Sequence, residues 1–271
     1  GGLITDTLNQ ANGNRVSYQN AAGSVTVDLQ ANTATGAAGT DTLSNFNQVR
    51  GSASGDTLFG SDSALTERFE GMAGNDVING RGGYDFVAYD RADNAVTVNL
   101  SSGTATNDGY GNIDTFSNIE GIRGSAFNDV LTGGLAANGV SVTDGLIEMF
   151  MGNGGNDTID GGQGYDRADY NSAQSGVVVT LNDTLDGSAS DGLGGVDVLR
   201  NIEGIRGSDF NDTLTGSDSA AFESFEGRQG IDVIDGKGGV DLVHHLKNKK
   251  KNVLHASQLD RPGVVHQRIN A

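Results

Sequence analysis

The sequence contains no cysteine, no tryptophan and a single proline in 271 residues. Without cysteine there are no disulfides, no thiolate metal sites and no cysteine nucleophile. A chain working outside the cell then needs a different staple, and a metal ion is the obvious candidate. Hydrophobic residues make up only 35% of the chain, which argues against a thick globular core. No apolar run approaches the ~20 residues that a membrane span needs. Positive charge is also scarce: Lys+Arg number 17 against 35 Asp+Glu, a formal charge of −18. That imbalance argues against nucleic acid and anionic membranes as direct partners. Collagen is excluded by the lone proline and the lack of a Gly-x-y period.

Glycine and aspartate are what the chain has in quantity. Its 43 glycines are roughly twice the usual share of about 7%. Of the acids, 28 are Asp and 7 are Glu. Residues 1–243 hold 11 basic and 34 acidic side chains, a balance of −23. Residues 244–271 hold six basic side chains, one acid, all four histidines and the proline, so a boundary is expected near His244. The chain opens at Gly1-Gly2 with neither a basic nor an apolar leader region and no initiator Met, so the expectation is a processed product or an excised fragment.

The chain repeats itself. Asn45-Phe46-Asn47-Gln48-Val49-Arg50-Gly51-Ser52 returns as Asn118 to Ser125 and again as Asn201 to Ser208, at spacings of 73 and 83 residues. Val25-Thr26-Val27-Asp28-Leu29 returns as Val96 to Leu100 and as Val177 to Leu181. That alternation predicts a strand with one buried face. Tyr18, Tyr89 and Tyr170 precede these strands at matching places. The expected organisation is three repeat units, over residues 1–85, 86–166 and 167–244, followed by a basic tail over 245–271 expected to be flexible. His245 stands there in the place of the three tyrosines.

A finer period lies inside each unit. Gly71 to Asn79 runs directly into Gly80 to Ala88, Gly152 to Asp160 into Gly161 to Asp169, and Gly227 to Asp235 into Gly236 to His244. All six segments fit G-x-x-G-x-D-x-U-x, with U apolar. Their glycines are Gly71 and Gly74, Gly80 and Gly83, Gly152 and Gly155, Gly161 and Gly164, Gly227 and Gly230, Gly236 and Gly239. The sixth positions are Asp76, Asp85, Asp157, Asp166, Asp232 and Asp241, and the eighth are Ile78, Val87, Ile159, Ala168, Ile234 and Val243. A more degenerate segment in each unit puts Asp56, Asp129 and Asp212 at position six. Three more, Glu67-Arg68-Phe69, Glu148-Met149-Phe150 and Glu223-Ser224-Phe225, put Glu67, Glu148 and Glu223 there.

This nonapeptide is the calcium-binding signature of one repeat class, and the chain resembles the hemolysin-type (RTX) calcium-binding repeat family over most of residues 14–244. The resemblance implies an all-β fold of tandem parallel β-roll segments, a β-solenoid. Six residues make a tight turn and three a short strand, so eighteen complete one coil. The glycines are expected to allow positive φ and to let carbonyl oxygens face inward. Calcium takes 6–8 oxygens at ~2.3–2.6 Å from carboxylates and carbonyls, which two stacked turns can supply. Several Ca2+ ions are therefore the expected cofactor, with the Asp, Glu and Gly residues named above as the candidate site. Glu67 and Asp85, Glu148 and Asp166, and Glu223 and Asp241 lie 18 residues apart and are expected to share one edge. On the other edge the spacing is 20 for Asp56 and Asp76 and for Asp212 and Asp232, and 28 for Asp129 and Asp157, with a bulging loop at Leu135–Gly145. Asn47, Glu120 and Glu203 lie nine residues before these degenerate segments' Asp but lack the glycines. Asp–Gly turns also form without metal, through side-chain hydrogen bonds to the backbone, and that reading stands beside the calcium one.

No constellation for catalysis accompanies the repeats. There is no G-x-S-x-G elbow, no H-E-x-x-H and no Walker or dinucleotide fingerprint. The histidines all lie in or next to the tail, so no Ser-His-Asp triad can form within the repeats. The many carboxylate pairs that a glycosidase would use have a simpler origin in the nine-residue period. His244-His245 cannot chelate easily, since neighbours on a strand point to opposite faces. The lysine run Lys247 to Lys251 reads as a solvated tail. The expected function is a non-catalytic, secreted or surface-exposed calcium-binding module. The resemblance further implies type I secretion, with the chain unfolded in the calcium-poor cytosol, although the basic tail does not resemble the usual export signal. The alternatives are an accessory domain of a secreted polymer-modifying enzyme and a calcium-stiffened spacer of an adhesin. An acidic or cell-surface polysaccharide is the expected macromolecular partner, if there is one; the sequence gives no oligomeric state.

Overall fold

The computed structural model describes residues 3–5, 13–134, 147–183, 185–244 and 253–254. The loop expected at Leu135–Gly145 and nearly all of the tail lie outside these residues. Every regular element described is a strand. The strands are short because the glycine-rich turns recur every nine residues or so. The described residues divide into two compact units, one of those up to 126 and the other of those from 127 on.

Both units are built from two sheets that the chain visits alternately. In the first unit, Arg15–Ser17, Gln48–Arg50, Arg68–Glu70, Phe86–Ala88 and Gly121–Arg123 form one sheet, parallel throughout. The facing sheet runs in the spatial order Leu3–Thr5, Gly39–Ser44, Thr33–Gly36, Val25–Asp28, Thr57–Ser61, Val77–Arg81, Asp114–Ser117, Thr104–Asn107, Thr97–Asn99. In the second unit the parallel sheet is Glu148–Met151, Asp166–Asp169, Gly204–Arg206, Phe222–Glu226 and Val240–His244. Its partner runs Val130–Thr132, Thr158–Asp160, Val196–Arg200, Gly187–Ser190, Val178–Thr180, Thr213–Thr215, Val233–Asp235, Val253–Leu254.

The chain is thus all-β with the parallel β-roll that the repeats imply, and it carries one feature beyond that. Each Val-x-Val strand opens a three-stranded meander whose middle strand runs antiparallel: Thr33–Gly36, Thr104–Asn107 and Gly187–Ser190. In the first meander the reversals use left-handed backbone at Asn32 (φ 58°) and at Gly36 and Gly39. Asp28 tightens the first turn by accepting the Ala31 N–H at 2.8 Å.

Register in the parallel sheets places the eighth residues of successive coils directly over one another. Val27, Leu58, Ile78 and Phe116 form one such column and Val49, Phe69, Val87 and Ile122 the facing one. Phe150, Ala168, Ile205 and Phe225 line up likewise in the second unit. Phe69, Phe150 and Phe225 are the largest fully buried side chains. Each buried side chain of this size contributes about 2–3 kcal/mol. The arginines of the repeated Val/Ile-Arg-Gly-Ser segments lie at the ends of strands and neutralise acids nearby. Arg50 meets Glu70 at 2.9 Å, and Arg206 meets Glu226 at 2.9 Å and Asp169 at 3.1 Å.

Candidate metal centre

The six complete nonapeptides share one turn geometry. Their second residue is left-handed whether or not it is glycine: Met72, Arg81, Asn153, Gly162, Arg228 and Lys237 have φ between 53° and 84°. Their fourth residue, Gly74, Gly83, Gly155, Gly164, Gly230 or Gly239, has φ between 90° and 135°, which excludes a Cβ. The first glycine plays a different part from the one expected, because its φ is not positive. A Cβ on Gly71, Gly152, Gly227 or Gly236 would overlap a carboxylate oxygen of Asp76, Asp157, Asp232 or Asp241. That glycine is there to make room for the acid five residues on.

Parallel register then stacks these acids. Arg68 pairs with Phe86, Glu148 with Asp166 and Glu223 with Asp241, so the 18-residue pairs lie side by side in one sheet. Thr57 pairs with Val77, Val130 with Thr158 and Thr213 with Val233, which sets the 20- and 28-residue pairs side by side in the other. Four of these carboxylates accept the backbone N–H of the neighbour one coil back. Asp56 donates to Asp76 Oδ1 at 2.7 Å, Asp129 to Asp157 Oδ1 at 2.8 Å, Asp212 to Asp232 Oδ1 at 3.1 Å and Glu67 to Asp85 Oδ1 at 2.9 Å. Asp157 and Asp166 stand at the starts of strands in opposite sheets.

The candidate acids fall into two groups by what meets their second oxygen. Asp56 is fully hydrogen-bonded, from Ser52 N at 2.5 Å, Ser52 Oγ at 2.9 Å and Val25 N at 2.7 Å. Ser208 holds Asp212 in the same way. Ser61 binds both oxygens of Glu67, and Ser217 those of Glu223. Gly134 N–H binds Glu148. By contrast, one oxygen each of Asp76, Asp85, Asp157, Asp166 and Asp241 is buried and meets no hydrogen-bond donor.

Backbone oxygens approach these edges. Where a Gly60 Cβ would stand, the Glu67 carboxylate meets the carbonyl of Gly80 in the next coil. Gly133 marks the same meeting of Glu148 with the Gly161 carbonyl, and Gly216 that of Glu223 with the Gly236 carbonyl. Among the described residues no three Asp, Glu or His side chains form a group that could hold a metal. What the stacked turns do bring together is carboxylate and carbonyl oxygen, the hard-oxygen chemistry that suits calcium. Burial is the main cause of the carboxyl shifts, which rise from 3.8 to about 9 at Asp76 and about 8 at Asp85 and Asp157. Asp166 also moves upward, through burial and the neighbouring charge of Glu148. A divalent cation would reverse these shifts.

Two sets of acids belong to the ladders without having been among the candidates. Asp114 Oδ1 accepts Asp76 N–H at 3.0 Å and Asp197 Oδ1 accepts Asp157 N–H at 3.1 Å. Their other oxygens, and one of Asp41, accept the hydroxyls of Tyr89, Tyr170 and Tyr18, each at 3.1 Å. The signal was in the sequence: Gly36–Ser44 and Gly192–Arg200 fit the nonapeptide pattern, and Gly109–Ser117 departs from it only at Asn112. Glu120 and Glu203, set aside for want of glycines, accept Asp85 and Asp166 N–H at 2.9 Å.

The RTX calcium-binding nonapeptide repeat model matches the sequence in four copies, over residues 65–94, 122–141, 149–168 and 205–220. These contain Glu67, Asp76, Asp85, Asp129, Asp157, Asp166 and Asp212; the pair of turns from Gly227 to His244 lies outside them. No curated protein matches the chain.

Proposed function

We propose that this chain, which carries the RTX calcium-binding nonapeptide repeat, is a secreted, non-catalytic module that folds when calcium enters its turns. The observation that carries the reading is the buried, donor-free oxygen on Asp76, Asp85, Asp157, Asp166 and Asp241. At Asp76, Asp85 and Asp157 one oxygen ties two coils together through a backbone N–H, and the other awaits a cation. These five, with Asp232, would hold calcium together with turn carbonyls. Calcium supplies charge neutralisation and a crosslink between coils. Binding and folding then become one event, because the unfolded chain offers no preformed site.

In this reading the chain stays extended in calcium-poor cytosol and folds outside the cell, where calcium is plentiful. The acids are committed to holding coils together, which leaves them no part in acid–base chemistry on a substrate. The accessory-domain and adhesin-spacer roles share this calcium chemistry; binding to acidic polysaccharides with and without calcium would separate them from a purely structural module.

Titrating the calcium-free chain with calcium or magnesium, followed by circular dichroism and hydrodynamic radius, tests the reading. Calcium in the millimolar range should induce β-structure and compaction. Magnesium should do so poorly, since it demands octahedral geometry at about 2.0–2.1 Å and releases water reluctantly. Equal midpoints for the two ions, or a chain already compact without either, would reject it.

A further inference from the structure

The loop before the last strand of each later meander carries a second buried acid, and its two copies differ in one informative way. Asp108 and Asp191 are both fully buried. Each uses Oδ1 to cap its loop: Asp108 accepts Tyr110 and Asn112 N–H at 2.8 Å, and Asp191 accepts Leu193, Gly194 and Gly195 N–H at 2.8–2.9 Å. The second oxygens diverge. Asn112 Nδ2 donates to Asp108 Oδ2 at 3.3 Å. The residue matching Asn112 in the next copy is Gly195, which has no side chain to donate, and Asp191 Oδ2 is buried without a donor.

Other oxygens gather at that point. A Cβ on Gly195 would stand 2.9 Å from Asp191 Oδ2 and would overlap the Gly155 carbonyl. The carboxylates of Asp157 and Asp197 are close enough for the charge of Asp191 to act on both. Asp157 brings a second donor-free buried oxygen. A donor-free buried oxygen beside a carbonyl, with the acids Asp157 and Asp197 nearby, is stabilised by a hard cation.

We propose that Asp191 Oδ2 and the Gly155 carbonyl, flanked by Asp157 and Asp197, form an additional calcium site that joins the meander loop to the coil. The matching loop at Asp108 has no such site, because the Asn112 amide stands in for the cation. This site rests on the reading of the coil edges as calcium-binding and borders one complete nonapeptide through Gly155 and Asp157, but Asp191 lies outside all six and gives it its own test.

Bound calcium is counted per folded chain by elemental analysis after gel filtration in millimolar calcium, for wild type, Asp191→Asn and Asp108→Asn. Asp191→Asn keeps the Oδ1 acceptor and turns the donor-free oxygen into an amide facing a carbonyl, so it should fold and bind one ion fewer. Asp108→Asn should leave the count unchanged. An unchanged count in Asp191→Asn, or an equal loss in both variants, overturns the proposal while leaving the edge sites standing. A wild-type chain that binds no calcium rejects the functional reading itself. If Asp191→Asn does not fold, Asn112→Gly decides: one added ion supports the site, and no added ion overturns it.

Discussion

Removing calcium at pH 7 should unfold the chain, and acid should partly restore it. Without metal, burial raises Asp76 to about 9 and Asp85 to about 8, from 3.8. The folded state therefore holds more protons than the unfolded one between about pH 4 and pH 8, and stability falls as pH rises through that window. From pH 4 to pH 7 each such group lowers stability by about 4 kcal/mol, at 1.36 kcal/mol per pH unit. Asp76 and Asp85 together remove roughly 8 kcal/mol, within the 5–15 kcal/mol of a whole domain's stability. Calcium-free protein prepared by chelation and dialysis should thus be disordered at pH 7.5 and gain β-type circular dichroism as pH falls toward 5. Adding calcium near pH 7 should release protons, measurable in weakly buffered solution. A calcium-free chain that melts cooperatively at pH 7 near the calcium-loaded midpoint would refute the reasoning. So would β-signal that declines steadily from pH 7 to pH 5.

Asp157→Ala should lose one calcium and leave the Asp166 edge occupied, because the two acids stand in opposite sheets; calorimetric stoichiometry that falls identically and non-additively for Asp157→Ala, Asp166→Ala and the double variant would contradict the alternation. Tyr170→Phe removes the hydroxyl donor to the buried Asp197, and an unsatisfied buried acceptor costs about 1–3 kcal/mol. Its melting temperature in saturating calcium should drop by several degrees, and more than in Tyr18→Phe, whose acceptor Asp41 is half-buried.

Much of this architecture was legible because a parallel solenoid converts sequence spacing directly into spatial register. Once a coil is eighteen residues, Glu67 has to meet Asp85 and Glu223 has to meet Asp241, and the sheets pair them so. The meanders were not legible. Val25-Thr26-Val27 announces a strand with one buried face, but alternation does not say whether its next neighbour runs parallel or antiparallel. Asp114 and Asp197 stand in segments at or close to the pattern, but their turns are built differently. Gly109 and Gly111, like Gly192 and Gly194, are left-handed at the first and third positions of their segments, whereas the six complete turns are left-handed at the second and fourth. The division of the acids by hydrogen bonding had a signal that spacing alone does not weigh. Ser52 and Ser208 precede Asp56 and Asp212 by four residues, and Ser61 and Ser217 precede Glu67 and Glu223 by six.

The ladders assign the two oxygens of a turn aspartate different tasks, and substitution can separate them. Asp76 Oδ1 holds the Asp56 N–H, an acceptor role that an asparagine carbonyl fills equally well. The second oxygen carries the charge that burial opposes. Asp76→Asn should therefore lose one calcium while keeping the contact between coils. Without calcium at pH 7 it should be more stable than wild type, by up to about 4 kcal/mol if the full penalty of the buried charge is lifted. With calcium it should be less stable, having lost a ligand. Asp76→Ala removes both tasks and should destabilise the chain in either condition, since the Asp56 N–H is then left without its acceptor. Urea denaturation of the three proteins, with and without calcium at pH 6, where residual calcium-free structure is measurable, distinguishes the cases. If Asp76→Asn weakens the calcium-free chain as much as Asp76→Ala does, the carboxylate's charge is not what opposes folding, and the coupling of calcium to the fold needs another cause.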